Sequence, residues 1–289
     1  MHTVEIPEIH FKASFPSEID ELTNEQFVYF SSLCLKLFQK QITIPELKTA
    51  MVLRLLNVDS RGFSGLPKSI QVRISENIFQ IASLLTFLFV ESESDFTYNL
   101  NFTKNFVPAI SIRPWLSLSG PEAALTNLTF LQYKDANTFY RSFHDTQHEN
   151  DLNQLISILY VPVWFGYSRS YSPKRSAKFL NIIASLPFEI RFAIFIFYSA
   201  CERFLRDGSI NIDGHTVNLS ILYSETLSEK KLSKPQKFDT NIGLASVALS
   251  LASTGIYGPI ERVYSQNLYD VLFLLYKQRI EYLNSIEND

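Results

Sequence analysis

The residue pair with the clearest potential for chemistry is His144 and His148, four positions apart in YKDANTFYRSFHDTQHEND, residues 133–151. The apolar period of this segment predicts a helix, and a spacing of four would place both imidazoles on one helix face. Two imidazoles so placed can bind one cation, and Glu149 or Asp151 could add a carboxylate oxygen. One hypothesis is therefore a metal-binding module or metal-dependent enzyme centred on His144 and His148.

The alternative interpretation places both histidines at the edge of a packed helix face. Helical periodicity runs over 133–147, and His144 continues an apolar stripe formed by Tyr133, Ala136, Tyr140 and Phe143. Histidines in such a position bond to neighbouring groups or to water. No second cluster of His, Cys or carboxylates at ligand spacing is present to supply a third protein ligand. No catalytic residue and no cofactor is assigned, and the candidate metal ligands are His144, His148 and Glu149.

Motifs of the common nucleotide- and zinc-dependent enzymes are absent from the sequence. It contains no G-x-x-x-x-G-K-[ST], G-x-G-x-x-G, H-E-x-x-H, G-x-S-x-G or Cys-x-x-Cys. The segment GLPKS at 65–69 has neither the length nor the glycines to cradle a phosphate. These absences argue against NTP-, NAD- and zinc-dependent classes, although an active site assembled from distant residues needs no such motif.

Composition indicates a globular protein without affinity for polyanions. The chain has 289 residues, of which 46% are hydrophobic and 19% charged, so it can bury a substantial core. It has 24 Phe and 14 Tyr but only 9 Gly, which suits helix packing better than Gly-rich ligand loops. A net charge of -3 gives no general attraction to nucleic acid or to anionic lipid.

The cysteines and the apolar segments predict a cytoplasmic protein that does not cross a membrane. Cys34 and Cys201 lie in apolar helical patterns and are expected to be reduced core residues rather than a disulfide or a nucleophile. Residues 1–16 lack a basic region followed by an apolar core, so no signal peptide is expected. The most apolar windows, IFQIASLLTFLFV and FAIFIFYSA, are shorter than the ~20 residues that span a bilayer.

Helical patterns dominate the chain. Thr23 with Gln26 and Thr43 with Glu46 have capping-box spacing, and an apolar stripe follows each pair. The first stripe runs from Phe27 to Phe38. These two helices would form a hairpin, and too few cations lie on the second for a DNA-binding helix-turn-helix. Further helices are expected near 69–90, 133–147, 151–160, 174–185 and 188–206 and at the C-terminus.

Two segments carry β signals. Strict alternation in FTYNLNFT predicts a half-buried strand near 96–103. In SINIDGHTVNL the dipeptide Asp213-Gly214 favours a type I′ turn, which predicts a hairpin near 210–219. The expected cross-strand pairs are Ile210 with Val217 and Ile212 with His215. Because an isolated hairpin is marginal in water, it should pair with the first strand or pack on a helix. The predicted fold class is mainly α, a multi-helix body with a small antiparallel β element.

Three regions are predicted along the chain. Residues 1–208 would form a helical body with a short strand, 209–239 the hairpin and a mobile Lys-rich connection, and 240–289 a C-terminal helical segment. Whether that segment packs on the same core is open. The connection contains four lysines flanked by acidic residues, which favours a solvated linker over a nucleic-acid site; they are Lys230, Lys231, Lys234 and Lys237.

Arg191 lies in the nearly continuous apolar run PFEIRFAIFIFYSACERF. An unpaired buried guanidinium costs several kcal/mol, so the expected position is at the helix rim, with the charged head reaching water. A contact with an anion or a partner is the functional alternative.

The order of these helical features resembles that of helical proteins from bacteriophage and prophage tail gene clusters, encoded near the tape-measure protein. The stretches that carry the resemblance are packing patterns rather than catalytic motifs; they are PSEIDELTNEQFVYFSSLCLKLFQKQITIPELKTAMVLRLL, LTNLTFLQYKDANTFY, LPFEIRFAIFIFYSACERFL with INIDGHTVNL, and ALSLASTGIYGPIERVYSQNLYDVLFLLYKQRIEYLNSIE. The resemblance implies a non-enzymatic role in tail assembly, as a chaperone of the long tape-measure helix or as a virion component, and it supplies no functional residues.

The sequence thus leads to a protein-interaction and assembly hypothesis. Its partner would be a protein, such as a tape-measure or other tail component, in the cytoplasm of a bacterial host or in the virion. Exposed apolar patches among the Phe and Tyr residues would form the binding surface. The metal hypothesis is the competing one, and nucleic-acid binding through the Lys-rich connection is the third.

Overall fold

The computed structural model describes residues 2–6, 11–58, 65, 67–91, 96–113, 115–163, 170–212, 215–222 and 243–287. The α-helices in this part of the chain are α1 (Asn24–Phe38), α2 (Ile44–Leu55), α3 (Lys68–Ser83), α4 (Phe130–Thr146), α5 (Glu149–Leu159), α6 (Pro173–Ser176), α7 (Leu180–Ala184), α8 (Phe188–Asp207), α9 (Gly243–Ser253), α10 (Ile260–Ser265) and α11 (Leu268–Glu287). The strands are β1 (His2–Ile6), β2 (Phe11–Phe15), β3 (Phe89–Glu91), β4 (Phe96–Tyr98), β5 (Ala109–Arg113), β6 (Leu116–Ser119), β7 (Val161–Val163), β8 (Ser209–Ile212) and β9 (His215–Asn218). The predicted class, mainly α with a small antiparallel β element, is confirmed.

The chain divides into two compact units. Unit 1 comprises Met1–Phe102 with Pro187–Phe197, and unit 2 comprises Thr103–Leu186 with Tyr198–Asp289. The three regions predicted from the sequence, with boundaries after residues 208 and 239, stay a prediction. Among the described residues, no helix is both long enough and apolar enough to cross a bilayer.

In unit 1, α1 and α2 begin at the two predicted capping boxes. The Thr23 backbone N–H donates to Gln26 Oε1 at 2.9 Å, and the Gln26 N–H donates to Thr23 Oγ1 at 3.2 Å. Thr43 and Glu46 exchange the same two bonds at 2.7 and 3.5 Å. Each box satisfies backbone N–H groups that have no partner within the helix, so the sequence alone located both starts.

The core of unit 1 is aromatic where α1 meets neighbouring segments. Phe27 and Phe30 are fully buried, and their rings lie 5.3 Å from Phe102 and 6.2 Å from Phe89, centroid to centroid. Phe38, expected on the same stripe, is 69% exposed, which corrects the prediction for the last turn. The stripe therefore packs along the first three turns of α1 and not at its C-terminal end.

The predicted helix over 69–90 and the predicted strand over 96–103 are both shorter in the structure. α3 ends at Ser83, a 3₁₀ turn covers Leu85–Leu88, and β3 pairs with β4 in an antiparallel ladder. Asn99 ends β4 because its side chain binds the backbone. Its Nδ2 donates to the Phe87 carbonyl, and its Oδ1 accepts the Asn101 N–H, both at 2.9 Å. An asparagine that bonds two residues ahead forms a turn, which overrides the alternating pattern.

Unit 2 is built around α4 and α5, with a three-stranded antiparallel sheet in the order β5-β6-β7. Leu152, Leu155, Ile156 and Leu159 of α5 are fully buried. The C-terminal helices belong to the same unit and contact α4. The chain entering α11 is tied to the chain entering α4 by two backbone bonds, Phe130 N–H to Gln266 O and Leu268 N–H to Leu128 O, each at 2.9 Å. The C-terminal segment thus shares the core of unit 2.

The predicted hairpin is confirmed with its register. β8 and β9 pair Ile210 with Val217 and Ile212 with His215. The proposed turn residues, Asp213 and Gly214, lie outside the described residues. The hairpin forms a separate two-stranded sheet rather than joining the strand at 96–98. The following turn, Leu219–Leu222, contacts α11, which agrees with the helix-packing alternative.

Candidate functional site

The histidine pair does not lie on one helix. His144 is in the last turn of α4, with its side chain 68% exposed and its Nδ1 3.3 Å from Asp145 Oδ1. Gln147 has a left-handed backbone with φ 58° and ends α4, and His148 is the N-cap of α5. The expected helix over 133–147 therefore stops at Thr146, and the spacing of four no longer places the imidazoles one turn apart on a common face.

The acidic neighbours of this pair are placed differently from what metal binding would need. Glu149 is the first residue of α5. Asp151 accepts hydrogen bonds from the Ser142 hydroxyl at 2.6 Å and from the Thr146 hydroxyl at 3.3 Å, so it joins the α4–α5 connection. In the described part of the chain, no group of three His, Cys, Asp or Glu residues could hold a metal ion. Metal binding by His144, His148 and Glu149 stays a prediction, and the described residues contain no three-ligand cluster that would support it.

Unit 2 contains a buried cluster of interacting polar side chains that sequence reasoning missed. We call Tyr133, Asn137, Tyr198 and Glu202 the Glu202 cluster. Tyr133 and Asn137 are one turn apart on α4, and Tyr198 and Glu202 are one turn apart on α8. Their relative exposures are 3%, 6%, 0% and 8%, so the cluster is enclosed by the packing of the unit.

Glu202 Oε2 is the centre of this cluster. The Tyr133 hydroxyl donates to it at 3.3 Å and Asn137 Nδ2 donates at 3.2 Å, while Asn137 Nδ2 also lies 3.5 Å from the Tyr133 hydroxyl. The Tyr198 hydroxyl acts electrostatically on the carboxyl, but neither it nor Glu202 Oε1 has a partner in good hydrogen-bond geometry. The Tyr198 hydroxyl oxygen and Glu202 Oε1 are thus exceptions to the rule that buried polar atoms form hydrogen bonds.

Burial controls the electrostatics of the cluster. Desolvation raises the pKa of Glu202 above its ordinary value, and the nearby Tyr198 hydroxyl, the bonds from Tyr133 and Asn137 and the charge of Arg141 oppose that rise. Desolvation and the neighbouring carboxyl also raise the pKa of Tyr198 well above its ordinary value. Burial in this environment favours the protonated form of the carboxyl, and its enclosure gives a dissolved substrate no direct approach.

The sequence contained one signal for this cluster. Tyr133 with Asn137 and Tyr198 with Glu202 each place polar groups at spacing four inside an apolar helix stripe. The hydrophobic ring of Tyr133 belongs to the apolar stripe of its helix, and Glu202 lies within an apolar run, so neither marks a polar site in the sequence. Their association is a tertiary contact between residues 69 positions apart, which helical periodicity cannot reveal.

Three other predicted sites have mixed outcomes. Cys34 and Cys201 are buried and form no disulfide, as expected for core cysteines. Arg191 in unit 1 is only 6% exposed, and its guanidinium carbon lies 5.0 Å from the centroid of the Phe188 ring. The expectation that it reaches water at the helix rim is therefore wrong, and contact with an aromatic face is part of what accommodates it. The lysines at 230–237 lie outside the described residues.

Exposed apolar side chains are concentrated on α3 of unit 1. Ala82 is the only residue of α3 that is buried. Val72 and Phe79, 55% and 63% exposed, are seven positions apart and so lie on one side of the helix; we call them the α3 apolar surface. Ile70, on another side of α3, is 44% exposed. A helix that leaves large apolar groups in water has a surface suited to a protein partner.

The last helix of unit 2 shows a related pattern. Leu268, Val271 and Leu272 at the start of α11 are buried, but no later residue of the described helix is. Tyr282 and Ile286, one turn apart near its end, are 45% and 39% exposed. The predicted apolar side of this helix is thus packed only in its first part.

Comparison of the chain with protein-family models, with curated proteins and with solved structures found no match.

Proposed function

We propose that the protein is a non-enzymatic, protein-binding assembly factor that acts on a long helical component of a bacteriophage or prophage tail. The partner in this proposal is the tape-measure protein or another tail or virion component, and binding takes place in the cytoplasm of the bacterial host. The observation that carries the proposal is the α3 apolar surface of unit 1, where Val72 and Phe79 are more than half exposed.

The spacing of these two residues suits recognition of another helix. Positions seven apart stand two turns from each other on one side, which is the anchor spacing used when amphipathic helices pack together. Full burial of a Val or Phe side chain contributes about 1.5–3 kcal/mol, so burying the exposed half of each would contribute roughly 0.8–1.5 kcal/mol. Together they would strengthen binding by about 10- to 100-fold, since each 1.4 kcal/mol is about tenfold in Kd.

Two further observations agree with the proposal. The second part of α11 also leaves apolar groups exposed, so unit 2 offers an amphipathic helix of its own. The stretches that resemble tail-cluster proteins include α1, α2, α4, α8 and α11, which supply packing contacts rather than chemistry. The proposal rests on the exposed helix surfaces and on that resemblance.

The test is affinity capture of tail proteins by the full chain and by two variants. Phe79→Ser removes the most exposed aromatic group of α3, and Gln80→Ala alters an exposed polar neighbour on the same helix as the matched control. We expect the wild type and Q80A to recover a tape-measure or other tail protein, identified by mass spectrometry, and F79S to recover about tenfold less.

Circular dichroism of the three proteins separates a binding defect from a folding defect. Because Phe79 is 63% exposed, F79S should retain the wild-type spectrum and melting temperature within about 2 °C. Recovery of no tail protein by the folded wild type would contradict the tail-assembly proposal. Equal recovery by F79S and the wild type would contradict the role of the α3 surface.

A further inference from the structure

Unit 2 contains a carboxyl group that is buried between two helices with one oxygen unbonded. We propose that Glu202 is held as the neutral carboxylic acid, and that its ionisation weakens the contact between α4 and the second half of α8, so that the packing of unit 2 responds to pH. This inference concerns the interior of unit 2 and is independent of the proposed assembly function.

The first argument is the length of the contacts to the carboxyl. Hydrogen bonds from hydroxyl groups to an ionised carboxylate are typically about 2.5–2.7 Å long, and those from a neutral amide N–H to an oxygen about 2.9–3.0 Å. The two contacts to Glu202 Oε2 are 3.3 Å from the Tyr133 hydroxyl and 3.2 Å from Asn137 Nδ2. Neither has the short length of a bond to a negative oxygen, and Oε1 has no bond at all. No short hydrogen bond therefore offsets the desolvation of an ionised Glu202, which favours the neutral acid.

The second argument is the identity of the neighbouring groups. A hydroxyl can accept a bond from a protonated carboxyl as well as donate to an ionised one. Tyr133 and Tyr198 supply two such hydroxyls, one from each helix, and that of Tyr198 has no other partner in good geometry. The cluster can therefore bind the acid proton, and it links α4 to α8 while it does so.

Among the charged and titratable groups around Glu202, this carboxyl is the group whose charge changes in the acid-to-neutral pH range. From α4 they are Tyr133, Tyr140 and Arg141; from α8 they are Tyr198, Cys201 and Arg206; and from α11 Tyr269, on which Cys201 acts. Tyrosine ordinarily ionises near pH 10 and arginine stays charged, so neither changes state in the acid-to-neutral range. Arg141 favours the ionised carboxyl, but desolvation acts more strongly and raises the pKa of Glu202.

The sign of the pH effect follows from this raised pKa. The unfolded chain releases the Glu202 proton near the ordinary value of 4.5, whereas the folded protein retains it to higher pH. The stabilising contribution is fully present below pH 4.5 and is lost as pH rises through the folded-state pKa. This is the reverse of a carboxylate held in an ion pair, which loses its contribution as pH falls.

The test compares urea unfolding of the wild type and Glu202→Gln between about pH 5 and about pH 8. Both tryptophans, Trp115 and Trp164, fall within the sequence range of unit 2, so tryptophan fluorescence follows that unit. The amide introduced by E202Q imitates the neutral acid at every pH. We expect the unfolding constant of the wild type to rise relative to that of E202Q by up to about tenfold per pH unit until the folded-state pKa is reached.

Glu261→Gln, which alters an exposed glutamate of unit 2, is the control and should keep the wild-type pH profile. A ratio between wild type and E202Q that does not change with pH would overturn the proposal. Should E202Q fail to fold, ¹³C NMR of the wild type labelled at glutamate Cδ decides the question. One resonance that titrates well above the others supports a neutral Glu202, and titration of all of them in the ordinary acid range refutes it.

Discussion

Replacing Tyr133 by Phe removes one hydroxyl from the Glu202 cluster and leaves the ring in place. Tyr133 is 3% exposed, and its hydroxyl donates to Glu202 Oε2 at 3.3 Å. A buried hydrogen bond contributes about 0.5–1.5 kcal/mol net, whereas a buried acceptor left without any partner costs about 1–3 kcal/mol. Asn137 Nδ2 still donates to the same oxygen at 3.2 Å in the variant, so the lower range applies. We expect Y133F to destabilise unit 2 by about 1 kcal/mol.

The assay is urea unfolding followed by tryptophan fluorescence, which reports on unit 2 because both tryptophans fall within its sequence range. Tyr282→Phe is the matched control, since it removes the same atom from a side chain that is 45% exposed in the same unit. The control should stay within about 0.5 kcal/mol of the wild type. If Y133F is as stable as Y282F, the Tyr133 hydroxyl does not hold α4 to α8, and the description of the Glu202 cluster as a link between these helices is wrong.

Two further outcomes follow from the placement of the other candidate residues. Protein purified without chelator and then incubated with zinc, manganese or iron should bind well below one equivalent of metal, because His144 and His148 lie on different helices. One equivalent of bound metal that is lost in His148→Ala would restore the metal hypothesis. Cys34 should react with a thiol reagent only after unfolding, because burial raises the pKa of its thiol and encloses the sulfur; rapid labelling of native protein at Cys34 in a peptide map would show that α1 opens readily.

Local chemistry made much of the secondary structure predictable. The capping boxes at Thr23 and Thr43 involve residues three positions apart, and the hairpin register follows from two strands that flank a two-residue turn. In each case the groups that determine the structure are close in sequence, so their spacing alone specifies the contact. The mainly α class follows from the same periodic patterns.

Local conformation and local hydrogen bonds explain two places where periodicity was misleading. Gln147 has a left-handed backbone with φ 58°, which turns the chain away from the axis of α4 and separates His148 from that helix. Asn99 bonds backbone groups on both sides of its own position and ends β4 after Tyr98. Hydrophobic periodicity treats asparagine and glutamine simply as polar positions. It does not show which backbone conformation they adopt or which backbone groups their side chains bind.

What the sequence by itself determined is the mainly α class, most of the helices, the starts of α1 and α2, the register of β8 with β9 and the burial of both cysteines. The strands β1, β2, β5, β6 and β7 were not predicted. The tertiary structure decided which apolar faces are covered and which polar groups meet. The exposure of Phe79 and the association of Tyr133 with Glu202 are of this second kind. The physical reason is that burial and desolvation depend on what lies across a contact from a residue, and those neighbours come from segments tens of positions away along the chain.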